Sequence, residues 1–223
     1  DSNTNQNIDT TGGNITLVST GLLTIGDGTN SQSLDAGSGI VLINSAGVTE
    51  QTDSTITATG LEIIGTGTFN LNEMNDVGTL AADINGTLTY TNLGALTIGT
   101  VDGDDGIAAN GSVGITTAGG DATVNAGLTT NGTLTVDDVV NTEDGASGTG
   151  GVVTVNSVEL NAALVAGTGD ITLNGGGCDL IINVAQSTVS SASYQANCDI
   201  IIGAMVSTTG VNANLTFTAD ADS

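Results

Sequence analysis

The 223-residue chain is expected to be an all-β protein built as a parallel β-helix, with a two-sheet β-sandwich as the alternative fold. Three observations carry that reading. A glycine-led pentad recurs along the chain, its apolar positions alternate, and groups of pentads return at spacings averaging about 22 residues. The clearest sample lies between Gly111 and Val136, where GSVGI, GDATV and GTLTV follow one another. In each, the second and fourth residues after the glycine are apolar: Val113 and Ile115, Ala122 and Val124, Leu134 and Val136. Side chains of a strand point alternately to its two faces, so this pattern gives each pentad one buried and one wet side.

The same phrase opens at Gly13, Gly21, Gly39, Gly67, Gly86, Gly94, Gly151 and Gly169. At Gly60 the phrase is GLEII, and Glu62 breaks the phase. Leu61 and Ile63 are therefore expected to face inward instead, or a bulge intervenes. Taking the first phrase of each group, starts fall at 13, 39, 60, 86, 111, 132, 151 and 169. A recurrence of this order signals a solenoid, and β-branched residues without a leucine-rich frame favour a coil of strands. A sandwich would show alternating strands too, but not the recurrence. Within a group, phrases sit 7 to 9 residues apart, which is one short strand and a corner. Roughly ten coils at a ~4.8 Å rise would make a rod on the order of 45–50 Å long.

A single solenoid domain is expected over 1–223: a polar lead-in at 1–12, repeat coils over 13–173, and terminal coils with a cysteine pair and tail over 174–223. Longer acidic stretches at Asp27–Ser38, Asn72–Asp83, Val101–Asn110 and Val139–Gly150 are expected to protrude as loops. Ser157–Ala166 is the best short-helix candidate, although a strand and corner fit it equally well. CDLIIN at Cys178 and CDIIIG at Cys198 are copies 20 residues apart, about one coil. Neighbouring rungs bring Cα atoms within disulfide range, so Cys178–Cys198 is the expected staple, with two buried free thiols as the alternative.

Composition excludes several function classes. There is no Lys, Arg, His or Pro, against 24 acidic residues, giving a net charge of −24. Binding to nucleic acid rests on basic side chains at phosphates, and attraction to anionic lipid needs them too. No apolar run approaches the ~20 residues that span a bilayer, so neither nucleic acid nor membrane insertion is expected. The polar start lacks a signal-like n- and h-region, and the chain reads as mature or cut from a longer one. Polar, acidic, lysine-free composition suits an extracellular or cell-surface setting.

The run GNITLVSTGLLTIG, with GTLTYTNLGALTIG and GITTAGGDATVNAGLTTNGTLTV, resembles the repeat regions of filamentous-haemagglutinin-like exoproteins and autotransporter passengers. The resemblance covers Gly13 to about Leu173. It implies a right-handed parallel β-helix on a bacterial surface, acting as adhesin, fibre or matrix. The family's proline-containing secretion motifs are absent, and no family binding residue carries over.

Candidate chemistry is sparse. Asp102, Asp104 and Asp105 in VDGDDG could give oxygen ligands to Ca²⁺, the one cofactor considered, although the EF-hand frame does not fit and solvated loop charge is the blander reading. No His or Lys is present to tune an acid–base pair and nothing singles one out, so no enzyme is expected and no catalytic residue is assigned. Sequons stand at Asn14, Asn85, Asn110, Asn131 and Asn214. A solenoid leaves open edges at its ends unless caps cover them, and neither end offers an amphipathic helix. The expected function is therefore a structural subunit stacking head to tail with copies of itself. The alternative is an adhesin or surface-layer segment that binds glycans or cells through its acidic inserts.

Overall fold

A computed structural model describes residues 7–119, 122–130, 134–138, 158–160, 164–166, 171–175, 180–183, 185–188, 191–196 and 199–219. Among these the chain is a β-solenoid of stacked parallel strands, and every rung-to-rung pairing is parallel. The single antiparallel pair, Thr100–Val101 with Asp104–Asp105, belongs to a local hairpin. Hairpin-connected sheets would pair sequence neighbours antiparallel, so the sandwich alternative is excluded.

Each coil contributes three short strands to three files. One file stacks Ile8 on Leu34 and Leu34 on Ile56. The next stacks Ile15 on Val41 and Val41 on Leu61, and further along Ala82 on Ile107 and Ile107 on Leu128. The third stacks Leu88, Val113 and Leu134 in succession. Alternation then does the rest. The second and fourth residues after each glycine turn inward, and Val41, Ile43, Phe69, Leu71, Leu88, Tyr90, Leu96, Ile98, Val113 and Ile115 are all buried. Each Val, Leu, Ile or Phe so buried contributes about 1.5–3 kcal/mol of transfer free energy. With aromatics at 2% of the chain, the core rests on this column of aliphatic side chains.

Gly60 follows the shifted phase. Leu61 and Ile63 are buried beneath Val41 and Ile43, with no bulge in the register from Ile40↔Gly60 to Ser45↔Gly65. The 157–166 stretch resolves as strands Val158–Leu160 and Leu164–Ala166. Two of the expected loops are corrected. Asn72–Asp83 lies in a continuous strand path from Ser54 to Asn92, with Asn75, Val77, Leu80, Ala81 and Ala82 buried in the wall. Asp27–Ser38 carries the rung Gln32–Asp35, and the polar lead-in likewise supplies the strand Ile8–Asp9. Val101–Asn110 splits into an external hairpin and an inward rung, Ile107–Ala109. Val139–Gly150 and both cysteines, Cys178 and Cys198, lie outside the described residues.

Among the described residues the solenoid makes about seven turns, slightly fewer than the roughly ten expected. Equal spacing is the assumption that fails. Thr79 stacks on Thr97, 18 residues on, whereas Leu134 stacks on Ile171, 37 residues on. Leu134 and Ile171 therefore lie on adjacent rungs, and the starts at Gly132, Gly151 and Gly169 lie outside the described residues.

Close stacking sets the glycine requirement at a few positions. A Cβ on Gly86 would overlap the carbonyl oxygen of Gly67 in the neighbouring coil, and one on Gly65, at φ +140°, would overlap that of Ser45. Gly94, by contrast, has no heavy atom within 4 Å of its Cβ position. Gly86→Ala is expected to destabilise the solenoid by more than about 2 kcal/mol, and Gly94→Ala to stay within about 0.5 kcal/mol. Urea midpoints of the two variants check the contrast.

Candidate functional site

Sequence reasoning assigned polar residues to loops, yet the structure carries several inside the wall. The inward alternation does not stop at the fourth residue after the glycine. At the sixth it reaches Ser45, Asn92 and Thr117, all buried. Such groups must find partners, since an unmade buried hydrogen bond costs about 1–3 kcal/mol. Asn92 Oδ1 accepts from the Val77 N–H at 3.0 Å and the Tyr90 hydroxyl at 2.9 Å, while its Nδ2 donates to the carbonyls of Val77, Gly94 and Ala95. Asn75 does the same one corner away. Its Oδ1 accepts from the Ile56 N–H at 2.7 Å, and its Nδ2 donates toward Glu50 Oε2 and the carbonyls of Glu73 and Thr91. These two amides tie the backbone together where the chain turns between files. The period-2 pattern extended by two residues is the signal that could have found Asn92.

Glu50 is not fully satisfied. It is 9% exposed, and its Oε2 accepts from Asn75 and from the Glu73 N–H, both at 3.1 Å. Its buried Oε1 has no partner. Burial pushes the Glu50 carboxyl up to about 7, against the pull of the Asn75 and Glu73 hydrogen bonds and with the Glu73 charge adding to the rise. Burial, with the charges of Glu50 and Asp76, also raises the Tyr90 hydroxyl well above its ordinary value.

The second carboxyl cluster lies on the outside of the wall. Glu62 points away from the core yet is only 4% exposed, because the Val101–Asp105 hairpin folds over it. The hairpin turns on Asp102 and Gly103, with φ of 48° and 110°, the paired left-handed conformations of a type I′ turn that Asp-Gly favours. Thr100 Oγ1 donates to Asp105 Oδ1 at 2.6 Å, and the Gly106 N–H closes the base onto the Gly99 carbonyl at 2.9 Å. Val101 is buried against the wall, and a Cβ on Gly60 would sit 3.0 Å from its Cγ1. Asp104 and Asp102 lie beside Glu62, and the Glu62 Oε2 is buried without a partner. Burial, then the contact with Asp104 and the charge of Asp102, raises the Glu62 carboxyl far above the usual range.

The expected Ca²⁺ ligands are therefore dispersed into other roles. Asp102 sits in the turn, Asp104 lies beside Glu62, and Asp105 accepts from Thr100. Among the described residues no group of three acidic or thiol side chains is placed to hold a metal ion. Of the sequons, Asn14, Asn85, Asn110 and Asn214 are exposed and Asn131 lies outside the described residues. Asn14 Oδ1 accepts from the Ile40 N–H, and Asn110 Nδ2 donates to Asn85 Oδ1 at 2.9 Å, so these three also stitch neighbouring coils.

The end coils form the third feature. Ile8, Leu17, Leu23, Ile25 and Leu34 line a cavity of about 170 Å³ at the first coil. At the last described coil Ile202, Met205, Leu215 and Phe217 are exposed, with Phe217 stacked on Tyr194 at 5.2 Å between ring centroids.

Glu50 makes stability fall as pH rises, the reverse of a carboxylate held by a cation. Its folded value of about 7 exceeds the reference 4.5, so its contribution is complete below about pH 4.5 and is lost on the way to about pH 7. The loss is on the order of 3 kcal/mol, and Glu62 acts in the same direction. Urea unfolding of the wild type is expected to show a higher midpoint at about pH 5 than at about pH 8. Glu50→Gln, which keeps an acceptor for Asn75, should be more stable than wild type at the higher pH and flatten the dependence.

No family model, curated protein or solved structure matches the chain.

Proposed function

We propose that this chain is an extracellular structural protein whose solenoid stacks head to tail with further copies of itself into a fibre or surface filament. One observation carries the reading: among the described residues, both end coils present apolar surface together with strands paired on one side only. Ile8–Asp9, Ile15–Val18 and Leu23–Ile25 pair only with the following coil. Ile200–Ile202, Val206–Thr208 and Leu215–Thr218 pair only with the preceding one. All these rungs are parallel, so the last coil of one copy offers the edge that the first coil of the next requires. Such a contact joins two different surfaces, does not close on itself, and so propagates. The cavity at the first coil can receive the ring and methyl groups exposed at the last.

The repeat phrases place the chain, in this reading, with filamentous-haemagglutinin-like or autotransporter-passenger solenoids. A cation-free, strongly acidic surface fits an extracellular setting and keeps side-by-side contacts apart, which leaves the ends as the favoured junction. The reading is non-enzymatic and assigns no catalytic residue; Glu62 lies covered by the hairpin that carries Asp104. The hairpin favours a second reading, a surface segment that presents this acidic projection to glycans or cells.

The purified chain is expected to form linear particles in sedimentation velocity and negative-stain microscopy without any partner. Phe217→Asp at one end and Ile8→Asp at the other should each reduce assembly by tenfold or more while leaving the circular dichroism spectrum unchanged. A monomer at every concentration would overturn the stacking reading. Saturable glycan binding that is lost on deletion of the hairpin would favour the second.

A further inference from the structure

The third file, which stacks Leu88 on Val113, extends back to Leu23, Val48 and Phe69 and forward to Leu215. Its inward residues build core, and its outward ones fall into register with them. Thr24 stacks on Thr49 and Thr49 on Asn70. Gly86 lies against Gly67 of the preceding coil, which sets Thr89 beside Asn70. Thr89 then pairs with Gly114, and the register passes through Thr135 and Thr172 to Ser193 and Thr216. Two residues on, a second row passes from Thr91 and Thr116 through Asp137 and Asn174 to Gln195 and Thr218. We propose that this face is an ice-binding surface, whose rows of hydroxyl and amide groups hold water in the arrangement of the ice lattice.

The geometry suits a crystal face. Rungs lie ~4.8 Å apart along the rod, and alternate residues of a strand lie about 6.6 Å apart across it. Repetition in two directions makes a lattice, and a partner that matches it must repeat in two directions as well. The oxygen atoms on a prism face of hexagonal ice do so, at comparable distances. The array is widest at the central coils, where Thr87, Thr89 and Thr91 face outward while Leu88 and Tyr90 between them are buried. Thr89 is exposed, and Thr49, Thr91 and Thr116 are half-buried, as side chains packed in rows should be. Threonine fits the task. Its hydroxyl anchors a water, its methyl orders the neighbouring ones, and its branched Cβ holds both in a stiff rotamer.

Charge points the same way. The chain carries 24 acidic residues, yet along these two rows only Asp137 is acidic. The neighbouring files are not spared, and Asp35 and Asp83 take outward positions there. A face kept for solubility would carry charge. Ice excludes ions, so a face that meets it must be free of them. Neutral sugars are the other uncharged, hydrogen-bonding partner, and their rings dock on aromatic side chains. The aromatics of this file, Phe69, Tyr90, Tyr194 and Phe217, all take inward positions instead. Gly114 is the one gap in the first row. A Cβ there would meet only Thr89 Cγ2, at 3.8 Å, so the gap can be filled. The face is independent of end-to-end stacking, since it runs along the side of the rod.

The test uses the full chain and reads thermal hysteresis and ice-crystal shape in a nanolitre osmometer. The wild type is expected to facet ice and to open a gap between melting and freezing points, where serum albumin at the same concentration opens none. Thr89→Asp and Thr91→Asp put charge at the centre of the array. Each should narrow the gap severalfold with an unchanged circular dichroism spectrum, since both positions face outward. Gly114→Thr completes the row and should widen the gap, which keeps the test decisive if an aspartate variant fails to fold. Thr123→Asp, outward on a neighbouring file, should match the wild type. Absence of both faceting and hysteresis in the wild type would overturn the proposal, as would full activity in Thr89→Asp and Thr91→Asp alike. Binding to microcrystalline cellulose or chitin with no effect on ice would also overturn it, by assigning the face to a neutral polysaccharide.

Discussion

The backbone ladder between coils is the constraint on which everything else in this protein depends. Each strand is short, often three residues, and gains stability only by lying in register with the rung before and after it. In register, side chains of the same parity stack at ~4.8 Å, so an aliphatic residue placed inward in one coil is covered by its counterparts in the next. The column Phe69, Leu88 and Val113, all buried, is one such stack where Leu88 lies in register with Val113. The same closeness explains why Gly86 and Gly65 have no room for a Cβ. Coil length is free to vary, because the ladder constrains only the residues inside the wall. Eighteen residues suffice between Thr79 and Thr97, and 37 are accommodated between Leu134 and Ile171.

Charge is the second organising fact. Without Lys, Arg or His, every buried carboxylate lacks an internal counter-charge, and the chain can neutralise one only with a proton or hydrogen-bond donors. The two buried glutamates use these means in different proportion. Glu50 is met by the Asn75 amide and the Glu73 N–H, whereas Glu62 lies under an acidic hairpin with Asp104 beside it. Both keep one oxygen without a donor, and both have their ionisation shifted toward neutral pH. The protein therefore couples packing to pH at a corner inside the wall and at a hairpin on its outer surface. That coupling follows from composition as much as from fold.

Alternation and glycine punctuation made the architecture legible. Ile15, Val41, Phe69, Leu88 and Val113 are inward at the positions their pentads require, and the phase shift at Gly60 put Leu61 and Ile63 where the wall needs them. The Asp-Gly pair in VDGDDG was legible as a turn but not as a cover, because nothing local to it says that it folds over Glu62. Asn75 fell within an expected loop and Asn92 carried no assignment, since a polar residue looks the same in sequence whether water or a carbonyl from another coil satisfies it. Asn72–Asp83 looked like an insert for a related reason: its charges face outward while Asn75, Val77 and Leu80 between them are buried.

What the sequence determined by itself is the local rule: which residues of each pentad face inward, that short strands must stack, and that no cation can balance the acids. These are properties of near neighbours and of composition, so they survive without coordinates. Which pentad lies on which was decided only by the tertiary structure, because register depends on how many residues each corner and insert consumes. That assignment moved Leu134 beside Ile171, brought Asp104 to Glu62, and turned a run of aspartates that resembled a cation site into the lid of a buried acid.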